Sequence, residues 1–256
     1  MFQNAIIKTP CKAMVNGLTA HPQFGAPDYE KALQQHKTYQ EALVQCGVEL
    51  TVLPADEAYP DSCFIEDVAV LTKYCAIITN PATPSRNPEI KAIQPVLLRF
   101  YPQDKIYEIT APGTLEGGDV MMCGDTFFVG MSARTNEQGF QQFREILAKF
   151  GCHAIAVPLN EVLHLKTGVA YLENNTILAA GEFCDKMQLK GYQQIVVPPE
   201  EAYAANAIWV NGTVLVPAGY PIVEGKLRDA GYPVMVCDTS EFRKLDGGLS
   251  CLSLRF

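Results

Sequence analysis

Several common features are missing from this chain. None of its nine cysteines is paired as C-x-x-C, and nine is an odd number, so neither a zinc site nor a complete disulfide framework is suggested. No run approaches the ~20 consecutive apolar residues of a membrane-spanning helix, and the first ten residues lack a basic stretch followed by a long apolar one. Basic residues are in deficit: 20 Lys and Arg against 28 Asp and Glu give a net charge of −8. That balance argues against a nucleic-acid surface, which needs clustered cations, and suits a cationic small molecule. No linker-like segment divides the chain. These absences predict one cytoplasmic domain over residues 1–256 with reduced thiols and no nucleic-acid or membrane partner.

A hydrophobic content of 48% in 256 residues is ample for a packed core. Five times the chain writes an apolar run, a turn and a second apolar run. Four of these pair 67–71 with 76–78, 119–122 with 127–130, 168–172 with 177–181, and 207–210 with 214–217; the fifth joins 249–254 to 5–7 across the termini. The links Cys123-Gly124-Asp125, Glu173-Asn174-Asn175 and Asn211-Gly212 are hairpin chemistry, because Gly and Asn accept positive φ cheaply. Helix signals lie between hairpins. Residues 28–46 carry Leu33, Tyr39, Leu43 and Val44 amid polar positions, and Thr135 with Gln138 has the spacing of a capping box opening a helix that runs to about Gly151. Strand candidates follow at 48–53, 154–157 and 234–236. Repeats of hairpin, helix and strand about 40 to 50 residues apart predict an α/β fold of units around an axis.

Chemically distinctive residues stand at the mouths of these repeats. Cys251 follows Gly247-Gly248, where backbone can bring a thiol close to a ligand. His164 lies in Leu163-His164-Leu165-Lys166, and Glu116 opens Glu116-Gly117-Gly118-Asp119. Nucleophile, base and orienting carboxylate are thus all available. Asp61, Glu66 and Asp67 form an acidic cluster suited to a guanidinium, and Arg86 with Arg134 could clamp a carboxylate. The plainer alternatives are a buried thiol, a core histidine, a solvated acidic loop and surface arginines.

Five strings closely resemble the dimethylarginine dimethylaminohydrolases of bacteria. They are Asp61 to Asp67, Leu115 to Asp119, Ser132-Ala133-Arg134-Thr135-Asn136, His164 to Gly168 and Asp246 to Phe256. The resemblance implies the five-bladed α/β propeller of the guanidino-group-modifying superfamily (the pentein fold). It implies hydrolysis of Nω-methylated arginines to citrulline and a methylamine with no metal or organic cofactor, and a homodimer. Carried over by position, Cys251 is the nucleophile, His164 the general acid/base and Glu116 its hydrogen-bond partner. Asp61, Glu66, Asp67, Arg86 and Arg134 contact substrate, with backbone contacts at Leu18, on a mobile lid, and at Leu245. Two departures, Gly117-Gly118 after Glu116 and Cys63 in the acidic string, spare every reacting group. Arginine deiminase is the nearest rival, though its inserted helical region has no room here. A non-catalytic binder of arginine-like amino acids and a cysteine peptidase are the others.

Overall fold

The computed structural model describes residues 1–256. Fifteen short strands form five three-stranded sheets. Strands β1 (Asn4–Lys8) and β2 (Glu49–Leu53) pair in parallel; β3 (Ala69–Leu71), β4 (Ala76–Ile78) and β5 (Ile106–Glu108) form the next sheet. β6 (Val120–Cys123), β7 (Thr126–Met131) and β8 (His153–Pro158) follow, then β9 (Val169–Tyr171), β10 (Thr176–Ala179) and β11 (Gln193–Val196). β12 (Ile208–Val210), β13 (Thr213–Pro217) and β14 (Val234–Cys237) make the fourth hairpin-containing sheet. β15 (Leu254–Arg255) then returns to pair antiparallel with β1, Ile6 opposite Leu254. Each sheet therefore repeats one plan, an inner strand antiparallel to a middle strand that is parallel to an outer one. Inner strands of successive sheets meet, β15 against β3, β6 against β9 and β9 against β12. The result is the five-bladed α/β propeller that the family resemblance implied, its blades arranged around an axis as the repeats predicted.

Burial explains which strands are easy to read. The middle strands β4 and β10 are buried at every position, and such strands read as continuous apolar runs. The outer strands β5 and β11 are only half-buried, and Gln193-Gln194 at the start of β11 carries no apolar signal. The hairpin turns take the expected left-handed conformation, with φ of 49° at Asn211 and 97° at Gly212.

Helices pack between blades. α1 (Tyr29–Gln45) is capped by the Asp28 carboxylate, which accepts from Lys31 N–H at 3.0 Å. Its inward face is Ala32, Gln35, His36, Tyr39, Ala42 and Leu43, whereas Val44 is exposed. α2 (Ile90–Leu97) had no clear sequence signal and contains Pro95. α3 (Glu137–Ala148) is capped by Asn136, which accepts from Gly139 N–H at 2.8 Å. The N-cap therefore lies one residue beyond Thr135, whose hydroxyl is engaged with Asp119 at 2.7 Å, and the capping box expected from Thr135 and Gln138 does not form. α4 (Leu165–Gly168), α5 (Pro221–Asp229) and α6 (Ser240–Arg243) complete the set, and no helix is long and apolar enough to cross a membrane.

Candidate active site

A short helical turn precedes every inner strand. The five turns are Ile65–Val68, Gly117–Asp119, α4, Pro199–Ala205 and Ser250–Leu252; around one end of the axis Ile65–Val68 meets Gly117–Asp119 and Ser250–Leu252, and α4 meets Gly117–Asp119 and Pro199–Ala205. A turn at this point aims side chains across the axis, so residues far apart in sequence converge. The pocket they border has a volume of about 350 Å³ and is lined by Leu18, Asp61, Asp67, Arg86, Arg134, His164, Leu245 and Cys251, eight of the ten residues expected from the sequence.

Glu116 stands one layer behind. Its carboxylate is fully buried, with Oε2 2.7 Å from His164 Nε2 and Oε1 3.3 Å from the Arg134 guanidinium, which also donates to the Thr83 hydroxyl. Asp119 fixes the histidine's turn from below: one oxygen accepts from Leu165 N–H at 3.0 Å, the other from Ser132 and Thr135 hydroxyls at 2.6 and 2.7 Å. A Cβ on Gly118 would collide with the His164 ring and the Asp67 carboxylate, so only glycine lets those two groups approach.

Glu66 is the expected residue that the structure turns away from this pocket. Its carboxylate lies beneath it, accepting from Lys166 Nζ at 2.6 Å and the Ser250 hydroxyl at 2.9 Å. Arg86 is placed differently from a free carboxylate clamp. It is buried, with one nitrogen donating to Asp67 at 2.5 Å, two to Glu89 at 2.9 and 3.2 Å, and Nη2 also to Phe64 O at 2.9 Å. Gly247 and Gly248 are packed tightly against protein, since a Cβ on either would run into the Phe64 ring or the Asn206 amide, and Gly247 also lines the pocket.

The electrostatics follow from this packing. Burial alone would lower the His164 imidazole, but the charge of Asp67, the hydrogen bond with Glu116 and the charges of Asp119 and Glu116 outweigh it, raising it from 6.5 to about 9. Burial, and then the negative charges of Glu66 and Asp67, push the Cys251 thiol up to about 12. Burial also acts upward on Asp67, yet the charges of His164 and Arg86 hold its carboxyl below the usual range. At neutral pH the empty site thus holds a neutral thiol, an imidazolium and an ionised Asp67. Asp67, Glu116 and His164 bring donor atoms within 4.8 Å of one another. The adjacent Arg86 and Arg134 guanidiniums already supply the positive charge that a metal dication would bring there.

Two supporting residues escaped the sequence reading. Asn206 ends the turn before β12, the fourth-repeat counterpart of the turns bearing Asp67, Asp119 and His164. Its amide oxygen accepts from Ser250 N–H at 2.9 Å and its nitrogen donates to Lys166 O at 3.0 Å, tying the cysteine's turn to the histidine's. Aligning the five repeats on their inner strands would have marked it. Asp246, at φ 60°, accepts from Ala20 N–H at 2.5 Å and contacts His21 Nδ1 at 2.6 Å, while Leu18 N–H donates to Asp61 at 2.9 Å. These three contacts anchor the segment around Leu18 over the pocket.

Comparison with known proteins agrees with this architecture. A family profile described as N,N dimethylarginine dimethylhydrolase, eukaryotic, matches residues 26–192. The chain is 52% identical to the N(G),N(G)-dimethylarginine dimethylaminohydrolase of Pseudomonas aeruginosa, with all of both chains covered. It is 35% identical to the protein of the same name from Streptomyces coelicolor, over 99% of this chain and 96% of that one. The solved structure of a cysteine-to-serine variant of the P. aeruginosa protein with citrulline superposes over both full chains with a TM-score of 0.98. The N-terminal domain of ArgZ, 18% identical, shares the fold with a TM-score of 0.88 over 100% of this chain and 97% of that one. With this identity over its whole length, the chain belongs to the dimethylarginine dimethylaminohydrolase family.

Proposed function

We propose that the chain hydrolyses Nω,Nω-dimethyl-L-arginine, and the monomethyl form, to L-citrulline and dimethylamine or methylamine through a covalent adduct on Cys251. The observation that carries this reading is the meeting of Cys251, His164 and Asp67 in one pocket, with Glu116 bonded behind the histidine. A guanidinium carbon is a poor electrophile because three nitrogens share its charge. Asp67 binds the guanidinium and localises that charge, and the cation in turn favours ionisation of the neighbouring thiol, which releases its proton to solvent. The thiolate adds to the carbon, and His164, already protonated, donates to the departing dimethylamine. A planar S-alkylthiouronium cation remains. Neutral His164 then takes a proton from water, hydroxide adds to the same carbon, and the C–S bond breaks as the added hydroxyl's proton passes to the departing sulfur, releasing citrulline and the neutral Cys251 thiol.

Arg134, the more exposed arginine, and Asp61 are suited to the amino-acid end of the substrate, and the anchored segment at Leu18 to a lid. Nine free cysteines support a reducing, cytoplasmic setting. The test is citrulline release from dimethylarginine, monomethylarginine and arginine assayed side by side. Release from the methylated substrates supports the reading; turnover of arginine alone makes the enzyme a deiminase, and no turnover of any makes it a binding protein.

A further inference from the structure

The propeller has a second cavity, of about 310 Å³, along its axis on the side away from the catalytic pocket. No residue lines both. Its wall comes from the inner strands of all five blades and is largely apolar, with Val70, Met122, Tyr171 and Trp209 among its side chains. Its floor is Glu66, Lys166, Ser250 and Arg255. Each of the first three lies within two residues of Asp67, His164 or Cys251 in the chain, so the two pockets stand back to back across a single layer of side chains.

The charge of that layer is uneven. The one carboxylate, Glu66, receives Lys166 at 2.6 Å and Ser250 at 2.9 Å, with Arg255 at 3.8 Å. Arg255 spends its other contacts on neutral partners, the Ser253 hydroxyl at 2.6 Å and two carbonyls at 3.4 and 3.5 Å. Two cations therefore share one anion at the closed end of an apolar tube. At the mouth Lys73 is already paired with Asp125 at 3.1 Å, and Glu173 stands beside them. A tube with apolar walls and a few convergent polar groups is the usual form of a small-molecule site, and the cation in excess at its base selects for an anion.

We propose that the axial cavity is a second binding site, distinct from the catalytic pocket, for a small amphipathic carboxylate whose head group meets Lys166 and Arg255 and whose alkyl chain lies against Val70, Met122, Tyr171 and Trp209. Octanoate is a suitable probe. Trp209 is the only tryptophan in the chain, so its emission reports on this cavity alone. Octanoate is expected to change that emission saturably, with a midpoint at least ten-fold below that of octanol, while octylamine has no effect. Arg255→Gln is expected to raise the octanoate midpoint at least ten-fold. Should that variant not fold, intermolecular NMR contacts in the wild type decide: octanoate chain protons close to the Trp209 and Tyr171 rings support the site. Contacts to Phe64 instead would put the anion in the catalytic pocket and overturn it. Equal midpoints for octanol and octanoate, or no saturable change, overturn it as well.

Discussion

Oε2 of Glu116 lies 2.7 Å from Nε2 of His164, deep enough that the carboxylate is out of solvent altogether. Its charge is one of the groups that keep the imidazole protonated above neutral pH. Glu116→Gln preserves an acceptor but removes the charge. It is expected to cut kcat by roughly 100-fold and to move the alkaline limb of the pH–kcat profile to lower pH. An unshifted limb would mean that Asp67 and Asp119 set the histidine's protonation without Glu116.

Cys251→Ser is expected to abolish turnover while binding remains measurable by calorimetry, since an alcohol ionises far less readily than a thiol. In the unliganded wild type, the thiolate absorbance obtained by difference from that variant should appear only above the free-cysteine value of about 8.5, because the folded environment pushes the thiol up to about 12. A cationic, non-reacting ligand should bring the titration to lower pH. A thiolate present below neutral pH without ligand would indicate a standing ion pair with His164.

For Arg86 the expected outcome is a loss of stability ahead of any loss of affinity. Arg86→Gln leaves Asp67 and Glu89 buried without their cation, a change of the kind that costs about 3–5 kcal/mol. The urea midpoint should fall accordingly, and adding Glu89→Gln should recover part of it. A raised KM with an unchanged midpoint would instead assign Arg86 to the substrate's carboxylate.

His164 also predicts how stability varies with pH. Its folded value of about 9 is above the ordinary 6.5, so the stabilisation it contributes is complete below about pH 6.5 and is lost as pH rises through about 9. A shift of that size corresponds to about 3 kcal/mol. The wild-type melting temperature should therefore decline across this window, and His164→Gln should flatten the decline. Parallel curves for the two proteins would remove the histidine from the account.

The hairpins were legible in the sequence because their middle strands are largely buried and three of their turns carry Asn or Gly. Strands β5 and β11 were not, because half-buried edge strands have no need of an apolar pattern. Cys251, His164 and Glu116 could be picked out by residue type and repeat position. The direction in which a side chain leaves its turn could not: Glu66 and Asp67 are adjacent in sequence, yet one serves the floor beneath the pocket and the other the pocket itself. The same limit hid the pairing of Arg86 with Glu89, since a buried ion pair three residues apart looks like an ordinary surface one.

Pairing of β15 with β1 closes the ring, and Cys251 sits only three residues before β15, with the Tyr39 hydroxyl held by Leu249 O at 3.0 Å and Ser253 at 2.6 Å on either side of it. During synthesis, four blades can emerge from the ribosome while the thiol's turn still has no strand to lie against. Cys251 therefore reaches its neighbours in the pocket only when the two ends of the propeller join, and the onset of activity in a refolding experiment should report that joining rather than the folding of any single blade.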